Sequence, residues 1–212
     1  MTEIVEFSSE GFTLRGVLTK ETSSSQKGAL ILHPHPLYGG DMENPVVLAL
    51  EDALLKAGYA TLRFDFRGAS STLQGYSGIA GAVIDASNAL GVLSSYNIQE
   101  FGLSGYSFGG STALCLASEC PPLFLITLSA SHRIIADGGF NMIGLTKIDC
   151  PTLMFHDKSD RMISPSDIDT LSSLIGSESI EKVLLEDESH FYQRSIGEVK
   201  ERVRLFLTNL DS

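Results

Sequence analysis

Six short apolar runs that do not alternate with polar residues constrain this chain most. They are Ala29–Leu32, Ala60–Phe64, Ile98–Leu103, Leu123–Leu128, Thr152–Phe155 and Lys182–Leu185. A strand with one wet face alternates. A strand covered on both faces does not, and a parallel sheet with helices above and below it needs that covering. Stretches of helical spacing separate the runs. Val46, Val47, Leu50, Ala53, Leu54 and Ala57 recur at i, i+3 and i+4, and Gly58 supplies a stop. Val83, Ala86, Leu90 and Leu93 predict a second helix, Gly110–Glu119 a third, and Ile196, Val199, Val203, Phe206 and Leu207 a last one. Only the start differs. Glu3–Ser8 and Phe12–Leu18 alternate about Ser9-Glu10-Gly11, which predicts an antiparallel hairpin, and Thr22–Lys27 reads as a polar loop. Strand and helix in alternation predict an α/β protein with a mostly parallel sheet, and residues 1–212 suit a single domain.

Charge and cysteine usage narrow the possible partners. Fifteen basic against 26 acidic residues leave a net charge of −11, which disfavours nucleic acid and acidic membrane surfaces. Cys115, Cys120 and Cys150 are odd in number and form no C-x-x-C, and the acidic start Met1–Glu6 carries no basic and apolar leader. A reduced, cytoplasmic setting is the expectation. No apolar run is long enough to span a bilayer.

The chemistry gathers at Gly105-Tyr106-Ser107-Phe108-Gly109, a G-x-S-x-G between a predicted strand and a predicted helix. A sharp turn there exposes the serine hydroxyl, and the flanking glycines remove side chains that would clash. A serine becomes nucleophilic when a base takes its proton and a third group fixes that base. Asp160 is the expected acid, in the loop after the strand Thr152–Phe155, with Asp157 its competitor; Pro165 is expected to open the helix that follows. His190 is the expected base, after Val183–Leu185 and before the last helix. His156, at a strand tip, reads as structural. Asp65 reads as half-buried, paired with an arginine and structural. For the oxyanion, Phe108 N–H is one expected donor. The other comes from His33-Pro34-His35-Pro36-Leu37-Tyr38-Gly39-Gly40 and is either Leu37 or Tyr38, since proline has no N–H. A rival reading pairs His33 and His35 on a metal, as in a metal-dependent phosphoesterase.

These residues together resemble the α/β-hydrolase superfamily, and most of all its small, capless members related to dienelactone hydrolase. The resemblance rests on His33–Asn44 (H-P-H-P-L-Y-G-G-x-M-x-N), Arg63–Gly68, Gly105–Gly109 and Ser189–Tyr192, in that group's order. Residues 67–75 depart from its R-G-x-G-x-S-x-G, Asp85 alone remains of the acids that open its next helix, and Ser107 stands where true dienelactone hydrolases carry cysteine. The resemblance implies an α/β-hydrolase fold: a doubly wound, mostly parallel sheet with helices on both faces and no cap domain. It also implies a serine hydrolase of ester-like acyl bonds that uses Ser107, His190 and Asp160, needs no cofactor and acts on a small molecule. The alternative of another class is a catalytically idle binding protein on the same fold. About twenty residues, Ser129–Asp149, separate two strands after the expected nucleophile, room for one helix and no lid. An open, shallow site follows, with His35, Tyr38, His132, Met142 and Ile143 expected to line it.

Overall fold

A computed structural model describes residues 1–21, 26–69, 75–186 and 189–210. Most of the predicted polar loop (22–25), the stretch 70–74 that departs from the family pattern, and two of the acids before His190 (187 and 188) lie outside the described residues.

Eight strands form one sheet in the order β1-β2-β4-β3-β5-β6-β7-β8. The predicted hairpin is present as β1 (Thr2–Ser9) and β2 (Phe12–Thr19), turned through Glu10 and Gly11 at positive φ. It joins the sheet antiparallel to β4 (Ala60–Phe64). All remaining pairings are parallel: β3 (Lys27–Leu32), β5 (Glu100–Tyr106), β6 (Leu125–Leu128), β7 (Thr152–Asp157) and β8 (Ile180–Leu185).

Strand alternation explains why the apolar runs are continuous. Along β3, Ala29 and Ile31 pack into one core and Leu30 and Leu32 into another. The first core is closed by α1 (Pro45–Lys56) and α6 (Ile196–Leu210), through Val47, Leu50, Leu54, Val203 and Leu207. The second is closed by α2 (Gly78–Ser95), α3 (Phe108–Glu119) and the short α5 (Asp167–Ser172), through Ala86, Leu114, Ile168 and Leu171.

Three predicted boundaries move, each for a local reason. Ile98 is not in a strand: Asn97 takes a left-handed φ of 61° and the Ile98 N–H bonds back to Leu93 O, so both belong to the end of α2. Pro165 does not open α5, which starts at Asp167. The segment 129–149 holds two short elements rather than one helix, α4 (His132–Asp137) and a 3₁₀ turn over Met142–Lys147. No lid domain rises from it.

A buried ion pair ties the hairpin to α2. Arg67 Nη2 lies 2.5 Å from Asp85 Oδ1, and the same carboxylate accepts the Ser9 hydroxyl. The sheet's topology places the site. From β3 the chain crosses to β4 on one side and then returns to β5 on the other, so the loops leaving β3 and β5 diverge. An open parallel sheet has its ligand crevice at such a switch point, at the carboxyl ends of the strands. Residues 33–40 and Ser107 leave from those two ends.

Candidate active site

Backbone packing builds the elbow after β5. Ser107 has φ 56° and ψ −115°, a conformation that L-residues rarely adopt. A Cβ on Gly105 would come within 2.3 Å of Gly109 O, and one on Gly109 within 2.2 Å of Leu32 O. Glycine is required at both places because strand, turn and helix pass too close for any side chain. The Ser107 N–H is held by Leu128 O at 2.7 Å.

Ser107 Oγ lies 3.0 Å from His190 Nε2, and His190 Nδ1 lies 2.7 Å from Asp160 Oδ2. With the carboxylate accepting the Nδ1–H, Nε2 is left as an acceptor for the serine proton. The structure thus brings together the three residues expected from β5, β7 and β8. His156, expected to be structural, stands 3.5 Å from the same carboxylate oxygen and 3.3 Å from Ile163 O.

Asp160 is heavily supplied with donors. Oδ2 accepts the Ser129 hydroxyl at 3.1 Å, and Oδ1 accepts the Met162 and Ile163 N–H groups at 2.8 and 3.0 Å. Tyr192 O–H in turn donates to Ser129 Oγ at 2.7 Å. Burial alone would raise this carboxyl's pKa; the hydrogen bonds from His156, His190 and the Ile163 amide outweigh it and hold the group well below the usual carboxylate range. Asp160 therefore stays an ionised acceptor at neutral pH. Asp157 is engaged differently. Its Oδ1 takes the Ser159 and Ser189 N–H groups at 2.7 and 3.0 Å, which ties the His190 loop to β7. Ser107, Ser129, Ser189 and Tyr192 all carry positive φ, so four of the six non-glycine residues at positive φ among the described residues surround this relay. Tyr106 O–H donates to His190 O at 2.8 Å and fixes the base from below.

The donor loop corrects one expectation. Neither Leu37 nor Tyr38 has an amide to spare. Leu37 N–H donates to His35 Nδ1 at 3.3 Å, and Tyr38 N–H to His35 O at 3.1 Å, because residues 36–38 close a 3₁₀ turn on His35. Among the described residues the amides of His35 and Phe108 have no protein acceptor. His35 caps that turn from outside it, and Phe108 is the first residue of α3.

The same hydrogen bonds occupy the nitrogens of the H-x-H pair. Phe66 N–H donates to His33 Nε2 at 3.0 Å, and the Nδ1–H donates to Pro34 O at 2.6 Å. His35 Nε2–H donates to Tyr76 Oη at 2.8 Å while Nδ1 accepts from Leu37. A shared metal would have to break these bonds, and among the described residues no three His, Cys, Asp or Glu side chains cluster as ligands. Burial pushes His33 down to about 4, against a smaller upward pull from its bond to Pro34 O. As pH falls, the unfolded chain takes up this proton near 6.5 and the folded one only near 4, so stability is lost across that window, by about 3 kcal/mol. Urea unfolding at pH 7 and pH 4.5 should show the loss in the wild type and a shallower one in His33→Gln; equal slopes would contradict it.

Three expected lining residues lie elsewhere. His132 Nδ1 sits 2.9 Å from Asp167 Oδ1, and this pair belongs to a neighbouring hollow. Ile143 faces another hollow beside Ser118, and Met142 packs on the core under α3. Asp65 is fully rather than half buried and accepts the Met42 N–H at 2.9 Å, while the flanking Arg63 and Arg67 pair with Glu51 and Asp85. The hollow in front of Ser107, about 260 Å³, does include His35 and Tyr38, together with Tyr106, Ile134, Met162 and Phe191. None of these four was expected to line it, although three stand near an expected site residue: Tyr106 is one before Ser107, Met162 two after Asp160 and Phe191 one after His190.

No family model matches the chain. An uncharacterized protein of Rickettsia prowazekii is 28% identical over 206 residues, 94% of this chain and 86% of that one. An α/β serine hydrolase homologue from Coxiella burnetii superposes with a TM-score of 0.83 at 26% identity, covering 96% of each chain. A serine hydrolase without a lid from Xanthomonas campestris superposes at 0.84 with 19% identity, over 98% of this chain and 94% of that one, a likeness of fold. With an eight-stranded sheet wound about β3, a strained serine at the end of β5 and no inserted cap among the described residues, the chain is a lid-less member of the α/β-hydrolase superfamily.

Proposed function

We propose that this hydrolase cleaves carboxylic ester bonds through Ser107, His190 and Asp160. The observation that carries the reading is the unbroken relay of 3.0 and 2.7 Å ending on a serine held in a strained elbow. Ser107 Oγ attacks the acyl carbon as His190 Nε2 takes its proton. The His35 and Phe108 amides receive the developing oxyanion, and the positive end of α3 adds to them. His190 gives the proton to the departing alkoxide, which leaves as alcohol. Water, deprotonated by the same histidine, then releases the acid from Ser107. Asp160 holds the imidazole's tautomer and its charge throughout without taking a proton.

The hollow favours small, partly apolar esters. At about 260 Å³ it lies below the usual range for ligand pockets. Tyr38, Met162 and Phe191 stand exposed around it, an apolar rim that an aliphatic or aromatic group can cover. The test is a pair of chromogenic substrates. Turnover of p-nitrophenyl butyrate that an added chelator leaves unchanged, with p-nitrophenyl phosphate inert, is the expected result. Phosphate ester turnover that the chelator abolishes would overturn the reading in favour of a metal enzyme.

A further inference from the structure

Three hollows open side by side, the central one at Ser107, and one residue lines all of them: Met162. The central one, about 260 Å³, is the smallest. Its neighbours measure about 450 and 730 Å³. Met162 is 60% exposed, so its side chain projects into this space rather than into the core. Its backbone is fixed, because its N–H is bonded to Asp160 Oδ1 at 2.8 Å. An unbranched thioether with three rotatable bonds on a fixed base makes an adaptable partition.

The chemistry decides which part of an ester meets which side. His190 must reach the leaving oxygen to protonate it. The 450 Å³ hollow shares His190 and Phe191 with the centre and is walled by Ser159, Arg161, Ser189 and Arg194, so the alcohol portion departs that way. The 730 Å³ hollow does not touch His190. It shares Ile134 and Ile163 with the centre, an apolar stretch beside Met162, and beyond them its walls are polar, with His132, Arg133, Asp137 and Asp167. The acyl portion therefore points over Ile134 and Ile163, and Met162 stands at the end of that path.

We propose that Met162 limits the length of the acyl chain the enzyme accepts, closing a short central pocket off from a larger trough that continues over Ile134 and Ile163. This rests on the reading of Ser107 as the nucleophile of an ester hydrolase. Removing the side chain to Cβ joins the two spaces, and each methylene newly buried on that apolar stretch favours the longer substrate several-fold.

The experiment compares kcat/KM for p-nitrophenyl esters from acetate to decanoate in the wild type, Met162→Ala and Met162→Phe, with Ile143→Ser as a distant control. Met162→Ala should raise the octanoate-to-butyrate ratio about tenfold, and Met162→Phe should lower the butyrate-to-acetate ratio. Ile143, exposed on a different hollow, should leave both ratios unchanged. A chain-length profile that neither Met162 variant shifts, or that the Ile143 control shifts equally, overturns the proposal. Fluorophosphonate labelling of the wild type separates the two levels: labelling with unshifted profiles sinks only the role of Met162, whereas a wild type that neither labels nor hydrolyses esters sinks the nucleophile reading beneath it.

Discussion

His190→Ala should lower kcat by about a million-fold, a triad deletion effect, with the folded structure retained. The imidazole links Ser107 to Asp160, so its loss removes both the base and the acid of the cycle. The fold should survive because the anchor of this loop does not use the imidazole. Tyr106 holds the residue through its backbone carbonyl, and Asp157 holds the preceding Ser189 N–H. Asp160 keeps the Ser129 hydroxyl and two backbone amides. Steady-state hydrolysis of p-nitrophenyl butyrate beside thermal unfolding checks both halves. A variant that unfolds at the wild-type temperature and keeps even a tenth of wild-type turnover would exclude His190 as the base.

Asp160→Asn should cost about 10⁴-fold in kcat, and Asp157→Asn less than tenfold. An asparagine at 160 still accepts the Met162 and Ile163 amides, but its NH₂ group or neutral oxygen faces His190 Nδ1. That offers the imidazole the wrong tautomer and no charge to offset the imidazolium. At 157 an asparagine oxygen can go on accepting from Ser159 and Ser189, so the loop stays in place. The stability effect has a definite pH sense. A carboxylate held below its unfolded pKa contributes stability above about pH 4 and loses it as pH falls toward the folded value. The gap in unfolding temperature between wild type and Asp160→Asn should be widest at neutral pH and narrow on acidification. If Asp157→Asn is the damaging change and Asp160→Asn is nearly silent, the acid is Asp157.

Fold and relay were legible in the sequence for physical reasons. Parallel strands buried on two faces are apolar or small over their buried length, as Ala29–Leu32 of β3, Gly102–Tyr106 of β5 and Leu125–Leu128 of β6 are. The elbow demands glycine at 105 and 109 because backbones pass there within a side chain's radius. Chain order then leaves His190 as the base with Asp160, or its competitor Asp157, as the acid on the preceding loop. What stayed hidden depends on contacts between distant residues or on which hydrogen bond a loop chooses. His35 captures the amides of Leu37 and Tyr38, which moves the free donor to His35 itself, and no spacing rule reports that choice. His132 is drawn from the site by Asp167, thirty-five residues further along the chain. Met162 and Phe191 are exposed apolar residues in loops, where neither periodicity nor burial marks them; only their nearness to Asp160 and His190 does.

The central claim is that Ser107 Oγ is a nucleophile activated by His190. Intact-protein and peptide mass spectrometry after treatment with a fluorophosphonate tests it most directly. One phosphonyl group per chain is expected, on the peptide carrying Ser107, with loss of ester hydrolysis in step with labelling and no adduct in Ser107→Ala. An adduct on another residue, or ester hydrolysis that persists in Ser107→Ala at the wild-type rate, would contradict the account.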